Sequence, residues 1–170
     1  MASRLLLMRH AKAEWPSPGA SDFDRHLTTS GIEEAQSMGE MMAAAGLLPD
    51  RVLCSGARRC RETWEHLAAV FNVDDVEYDD ALHAIDAADY LDLIRLQDTA
   101  ACLLVIGHNP MTEELAMALT ADRTGSVASA LAGGFPTAGL AVIETSGGLA
   151  DLRPSGGRLE AFITPRELAE

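Results

Sequence analysis

Arg9 and His10 stand side by side directly after a bounded apolar run, Leu5-Leu6-Leu7. A run of that length suits a buried strand, which puts the pair where a strand ends and a loop begins. Open α/β sheets bind their ligands at that end of their strands. The pair points to phosphoryl chemistry. Arginine presents a fixed fork of donors suited to phosphate oxygens, and neutral imidazole attacks phosphorus or carries a proton near neutral pH. An Arg-His dipeptide alone proves little, so the question is whether distant segments bring matching groups to the same place.

The elements needed for this can be read in order. Residues 4–8 read as the first strand. Residues 12–26, with Pro16, Pro18, Gly19 and Ser21, read as a loop long enough to wrap over His10. A helix is expected near 30–45, with Thr28 or Ser30 as N-cap and Ser30 with Glu33 fitting a capping box. Residues 51–54 read as the second strand and 56–71 as a helix, with Ala57, Cys60, Trp64, Leu67, Ala68 and Phe71 on its apolar stripe. Arg59 then lies in that helix's first turn. A short strand is expected at 76–78 and a helix at 87–97. Residues 101–106 form an unbroken apolar run, the strongest strand of the chain, ending in Gly107-His108-Asn109-Pro110. Asn109 as N-cap and Pro110 at the first helical position would start a helix to about 120.

Residues 121–136 read as a loop with one short helical turn, 137–145 and 158–164 as late strands, 147–157 as a turn-rich excursion and 165–170 as a tail. Phe135-Pro136-Thr137 reads as a plain turn before a strand, with a backbone that reaches the pocket as the alternative. Alternating strands and helices over most of the chain predict an α/β sandwich with a mainly parallel sheet, mixed if the late strands pair antiparallel. Arg9-His10, Arg59 and His108 then meet at one sheet edge, where helix N-termini near 56 and 110 add backbone donors and a favourable field for an anion. His66 and His83 read as ordinary surface or partly buried histidines, and Thr63 as a support for Arg59 one turn away.

Composition narrows the function class. With 26 acidic against 13 basic residues and a net charge of −13, the chain would repel a nucleic-acid backbone, so no nucleic-acid partner is expected. The local clusters, Arg58-Arg59-Arg61 and Arg9-Lys12, stand out as anion sites in such a chain. The length of 170 residues suits one domain with a substantial core. Cys54, Cys60 and Cys102 lack metal-type spacing, and Cys54 and Cys102 read as buried small hydrophobes. No stretch approaches a membrane span and no apolar leader opens the chain, so no membrane partner and a cytoplasmic location are expected. The oligomeric state stays open.

Four segments resemble one family. Leu6 to Ala11 resembles the signature of the histidine phosphatase superfamily, with its phosphoglycerate-mutase-like fold. Arg25-His26-Leu27-Thr28-Thr29-Ser30-Gly31 resembles its Arg-Pro-Leu-Thr-x-x-Gly segment, Ser55 to Thr63 its Ser-Pro-x-x-Arg-x-x-Gln-Thr segment, and Gly107 to Pro110 its second histidine motif. The short length and the motif forms look most like the SixA-type phosphohistidine phosphatases. The resemblance implies a three-layer α/β/α sandwich spanning residues 1–170 as a single histidine phosphatase domain. It implies His10 as the nucleophile that becomes phosphorylated, Arg9 and Arg59 as phosphoryl clamps, and His108 as a hydrogen-bonding partner of the transferring group. Arg25 matches a substrate-binding arginine near the pocket, and Arg58 a variable surface position. No metal and no cofactor are expected, because cationic side chains take the place of a metal.

Three departures from the family pattern matter: His26 and Gly56 replace prolines, and the glutamate that mutases and many ester phosphatases carry after the third strand is missing. That region reads Leu82-His83-Ala84-Ile85-Asp86, with Ala84 near the expected place and Asp80 and Asp86 as candidate substitutes. A positioned acid speeds departure of an alcohol by ~10²–10⁴-fold, whereas a phosphoimidazole takes a proton on its own ring. The gap therefore favours a phosphohistidine-containing protein as substrate. A small-molecule phosphomonoester phosphatase acting on a phosphorylated metabolite, and a binding module that holds phosphorylated partners without turnover, are the alternatives.

Overall fold

The protein is described by a computed structural model covering residues 1–122 and 124–168. Its sheet contains β1 (Arg4–Arg9), β2 (Arg51–Ser55), β3 (Val76–Asp79), β4 (Cys102–Gly107), β5 (Leu140–Thr145) and β6 (Gly157–Ile163). They are hydrogen-bonded in the order β3-β2-β4-β1-β5-β6. The first four strands run parallel, while β5 runs antiparallel to β1 and β6 to β5. The mixed sheet expected from the sequence is therefore present, and the carboxyl ends of β1, β2, β3 and β4 open on one edge.

The apolar runs are unbroken because both faces of the central strands are covered. Leu5, Leu6, Leu7 and Met8 are all fully buried. Leu5 and Leu7 pack with Tyr90, Leu91, Ile94, Leu115 and Leu119, which belong to α3 (Ala87–Arg95) and α4 (Met111–Thr120). Leu6 and Met8 pack with Ala35, Met38, Met42, Cys60, Trp64 and Leu67, from α1 (Thr29–Ala44) and α2 (Arg58–Leu67). The period-two alternation of the strands thus serves two separate cores, giving a three-layer α/β/α sandwich of the phosphoglycerate-mutase-like type. Burying each of these large apolar side chains contributes about 1.5–3 kcal/mol.

Several boundaries differ from expectation for local reasons. Thr28 alone caps α1, its hydroxyl accepting from Gly31 N at 2.9 Å, and Ser30 instead lies inside the helix. The chain after β2 turns for two residues before α2 begins, with Ser55 Oγ accepting from Ala57 N at 3.3 Å, and the expected helix to 71 ends at Leu67 in a 3₁₀ turn, Ala68–Val70. Pro110, not Asn109, is the N-cap of α4; the Asn109 amide is used elsewhere. The loop over 121–136 contains α5 (Ser126–Ala130), and the expected tail begins with α6 (Pro165–Leu168); its last two residues, 169 and 170, lie outside the described residues. Cys102 is only partly buried, while Cys54 and Cys60 are fully so. Among the described residues no helix is long and apolar enough to cross a membrane.

Candidate active site

The backbone that leaves β1 is pinned before the chemistry begins. His10 N donates to Gly107 O at 3.0 Å, and Ala11 N donates to Thr63 Oγ1 at 3.0 Å. The Thr63 hydroxyl in turn donates to Arg59 O at 2.7 Å. Thr63 therefore couples the loop after the first strand to the helix turn that carries Arg59, the supporting role read from its spacing.

His10 is 7% exposed. Its Nδ1 lies 2.7 Å from Ala11 O. A carbonyl only accepts, so Nδ1 carries the hydrogen and Nε2 is left with its lone pair. That lone pair receives a hydrogen bond from Arg59 Nε at 3.2 Å. Burial, with Arg59, Arg9 and Arg25 nearby, pushes the imidazole pKa down to about 3, because a second cation is disfavoured among buried guanidinium groups. The ring is neutral across the physiological range.

Arg59, 5% exposed, organises the rest. The Nε–Nη2 edge of its guanidinium meets both histidines: Nη2 donates to His108 Nδ1 at 3.2 Å. Its terminal edge grips Asp22, Nη1 donating to the Asp22 carbonyl at 2.8 Å and Nη2 to Oδ2 at 3.2 Å. Since Arg59 only donates, His108 Nδ1 accepts, and His108 Nε2–H is left to donate to Ser55 Oγ at 2.8 Å. The His108 backbone N–H donates to Tyr90 Oη at 3.2 Å, and that hydroxyl donates to Leu82 O at 2.7 Å. Burial and the neighbouring His10 and Arg59 push His108 down to about 2. The rings of His10 and His108 lie 5.4 Å apart.

Arg9 reaches the same edge from β1. Its Nη1 donates to Phe135 O at 3.0 Å, and Asn109 Nδ2 donates to that carbonyl at 3.0 Å. The 135–137 segment, expected to be a plain turn in preference to a backbone that reaches the pocket, does reach Arg9 and supplies the carbonyl that holds it. Arg25 stands further out, with Nε on Glu14 O at 2.8 Å and Nη1 on Asp22 Oδ1 at 3.0 Å, beside the exposed Trp15 ring. Arg58 pairs with Glu62 on the outer face of α2, as its variable position implied. Arg9, His10, Arg59 and His108 are thus brought together, and Arg25 adjoins them through Asp22.

Two residues of the site were not singled out from the sequence. Asp22 lies in a 3₁₀ turn, Asp22–Asp24, inside the segment expected only to be a covering loop. His83, expected to be an ordinary histidine, donates from Nε2 to Asp22 Oδ2 at 3.0 Å. Its ring lies 5.3 Å from that of His108 and edge-on to Phe23 at 5.2 Å. The hydrogen bond from His83, with Arg25 and Arg59 beside it, holds the Asp22 carboxyl well below the usual carboxylate range. The signal that could have found His83 is its place: a titratable residue just after β3, at the edge where the other three strands deliver theirs.

Of the two candidate acids named from the sequence, Asp86 is occupied elsewhere, as the N-cap of α3, accepting from Asp89 N at 2.9 Å. Asp80 places Oδ1 1.6 Å from where a Cβ on residue 56 would stand, so Asp80 fills the space that a proline ring at 56 would need. The absence of a side chain at 56 and the placement of the Asp80 carboxylate are thus sterically linked.

The family model for the histidine phosphatase superfamily (branch 1) matches residues 5–107. An uncharacterized protein of Mycobacterium tuberculosis is 36% identical over 163 residues, covering 94% of this chain and 100% of the relative. A candidate phosphohistidine phosphatase SixA from Agrobacterium tumefaciens superposes with a TM-score of 0.83 at 35% identity, covering 96% of this chain and 99% of the other. The protein histidine phosphatase SixA complexed with tungstate superposes at 0.78 with 25% identity, covering 97% and 99%.

Proposed function

Because the chain belongs to the histidine phosphatase superfamily, branch 1, and is a histidine phosphatase, we propose that its substrate is a phosphohistidine carried on a protein and that His10 takes the phosphoryl group. The His10 Nε2 lone pair attacks phosphorus in line. Arg59 and Arg9 hold the equatorial oxygens with charge-assisted hydrogen bonds, and Arg25 adds charge at the rim. An anion beside His108 Nδ1 favours the protonated ring, which then donates to the phosphoryl group. Water hydrolyses phospho-His10 in the second step.

The observation that carries the choice of substrate is the state of Asp22. It is the carboxylate at the arginine fork, and it is held ionised by Arg59, Arg25 and His83. At neutral pH it accepts protons' hydrogen bonds and has no proton to give to an alcohol. A leaving group that arrives with its own proton suits this site, and phosphoimidazole does. The three free thiols fit a reducing, cytoplasmic setting for the same reading.

The test is a substrate panel of phosphohistidine peptide, sugar phosphates, glycerate phosphates and an aryl phosphate, with acid-labile labelling of the enzyme as a second readout. The wild type should form an acid-labile phosphoenzyme that His10→Ala lacks, and kcat/KM should be highest on the phosphohistidine peptide. A higher kcat/KM on a sugar or glycerate phosphate would overturn the choice of substrate. An undiminished phosphoenzyme in His10→Ala would overturn the choice of nucleophile.

A further inference from the structure

Asp22 has a property that holding Arg59 does not require. A carboxylate offers about four lone-pair positions. Three are filled by side chains: Oδ1 by Arg25, and Oδ2 by Arg59 and His83. The Asp22 side chain is nevertheless 53% exposed, so its remaining position is open to a group at the mouth of the site. Its placement is also specific. The Nε–Nη2 edge of the Arg59 guanidinium carries the nucleophile, and its terminal edge carries Asp22. In-line displacement places the leaving group away from the nucleophile, so it departs toward the end of the fork where the carboxylate stands.

We propose that Asp22 is the specificity-determining residue for a nitrogen leaving group: its carboxylate accepts the distal ring N–H of the phosphohistidine substrate. This rests on the phosphohistidine reading above. In the transfer step the bond from His10 Nε2 to phosphorus forms as the phosphorus–nitrogen bond of the substrate breaks. The electron pair goes to the departing ring nitrogen, and because the distal nitrogen already carries a proton, the product is neutral imidazole. No proton has to come from the enzyme. Asp22 keeps that distal proton in place above the pH where a free imidazole ring sheds it, ~6.5. The groups that face Asp22 are Arg25 from its own loop, Arg59 from α2, His83 from the turn after β3 and His108 from the end of β4. The same negative charge sits badly beside an ester, whose oxygen leaving group brings no hydrogen to share.

His83 already shows that an imidazole N–H fits this carboxylate, at 3.0 Å and within 5.3 Å of the His108 ring. The substrate ring would make a second contact of the same kind from the solvent side. His83 is then a positioning residue, fixing the orientation of the carboxylate from the inner side.

The experiment compares wild type, Asp22→Asn and Asp22→Glu on a phosphohistidine peptide and on p-nitrophenyl phosphate, from pH 6 to pH 9. A hydrogen bond to a charged acceptor is worth a tenfold to hundredfold change, roughly. Asp22→Asn should lose about that much kcat/KM on the peptide, with the deficit growing as pH rises through about 6.5. Its loss on p-nitrophenyl phosphate should be several times smaller, and Asp22→Glu should recover part of the peptide activity. An equal loss on both substrates would show that Asp22 only positions Arg59 and would overturn the proposal, as would an unchanged peptide rate in Asp22→Asn. A wild type that prefers esters would overturn the substrate reading instead, independently of how the variants compare. Thermal unfolding measured alongside reports the fold of each variant, so a peptide-selective loss in folded Asp22→Asn is read apart from misfolding.

Discussion

The chemistry of this site turns on which nitrogen of His10 is free. A backbone carbonyl one residue away takes Nδ1–H, and Nε2 is thereby aimed at Arg59. Burial, with the neighbouring guanidinium groups, then keeps the ring neutral. This has a consequence for pH. In the folded chain the His10 pKa is pushed down to about 3, whereas in the unfolded chain a histidine titrates near ~6.5. Below about 6.5 the unfolded state takes up a proton that the folded state refuses, so stability falls as pH drops from there toward about 3, and this group contributes nothing to the slope above 6.5. Denaturant titrations of wild type and His10→Gln at pH 7 and pH 4.5 should show the larger loss in the wild type. An equal loss in the two would mean that the folded ring protonates as easily as the unfolded one. The acid limb of kcat/KM should likewise not follow an ordinary histidine pKa for His10.

At the scale of elements, the motifs do structural work beside their chemistry. Gly31 closes the segment that resembles the Leu-Thr-x-x-Gly motif. A Cβ there would lie 2.1 Å from the Lys12 carbonyl oxygen, and backbone cannot move aside as a side chain can. That close approach lets the first turn of α1 sit on the segment that follows His10, where Thr28 N also donates to Lys12 O at 2.9 Å. Gly31→Ala should destabilise the protein by roughly 1–3 kcal/mol, the usual cost of overpacking, and should lower kcat by displacing the 10–12 segment. Thermal unfolding and kcat measured together check this. A stable variant with normal kcat would show that α1 docks independently of the site. The same scale explains what the sequence conveyed about positions. Strand ends and helix starts follow from short-range periodicity, so Arg9, His10, Arg59 and His108 could be assigned to one edge before any tertiary contact was known. The caps were less legible: Asn109 looks like an N-cap, but its amide is taken by Phe135 O, a contact across 26 residues.

For the whole molecule, a net charge of −13 surrounds a site built from Arg9, Arg25 and Arg59. An acidic phosphoprotein meets general repulsion and then a local attraction. At low salt the long-range part dominates its approach, and the screening length shrinks to about 10 Å at 0.1 M. Its kcat/KM should therefore rise severalfold between about 0.01 M and 0.3 M salt, while p-nitrophenyl phosphate, which carries only its own phosphate charge, should change less. A fall with salt for the phosphoprotein would mean that the arginine pocket, not the net charge, governs encounter.

The sequence by itself determined the sheet edge and the four groups that meet there. Each follows a strand in a fixed motif, and parallel pairing brings such strand ends together. Only the tertiary structure decided what surrounds them. Asp22 and His83 are 61 residues apart and lie in loop turns with no periodicity to place them. Phe135 enters through a backbone carbonyl, which any residue type would carry. The His10 tautomer depends on the path of one peptide unit. The absence of a glutamate after the third strand was visible in the sequence, but not what stands in its place. Folding brings an aspartate from the covering loop onto Arg59 and leaves it ionised, because the arginines and His83 that converge on it all favour its charge.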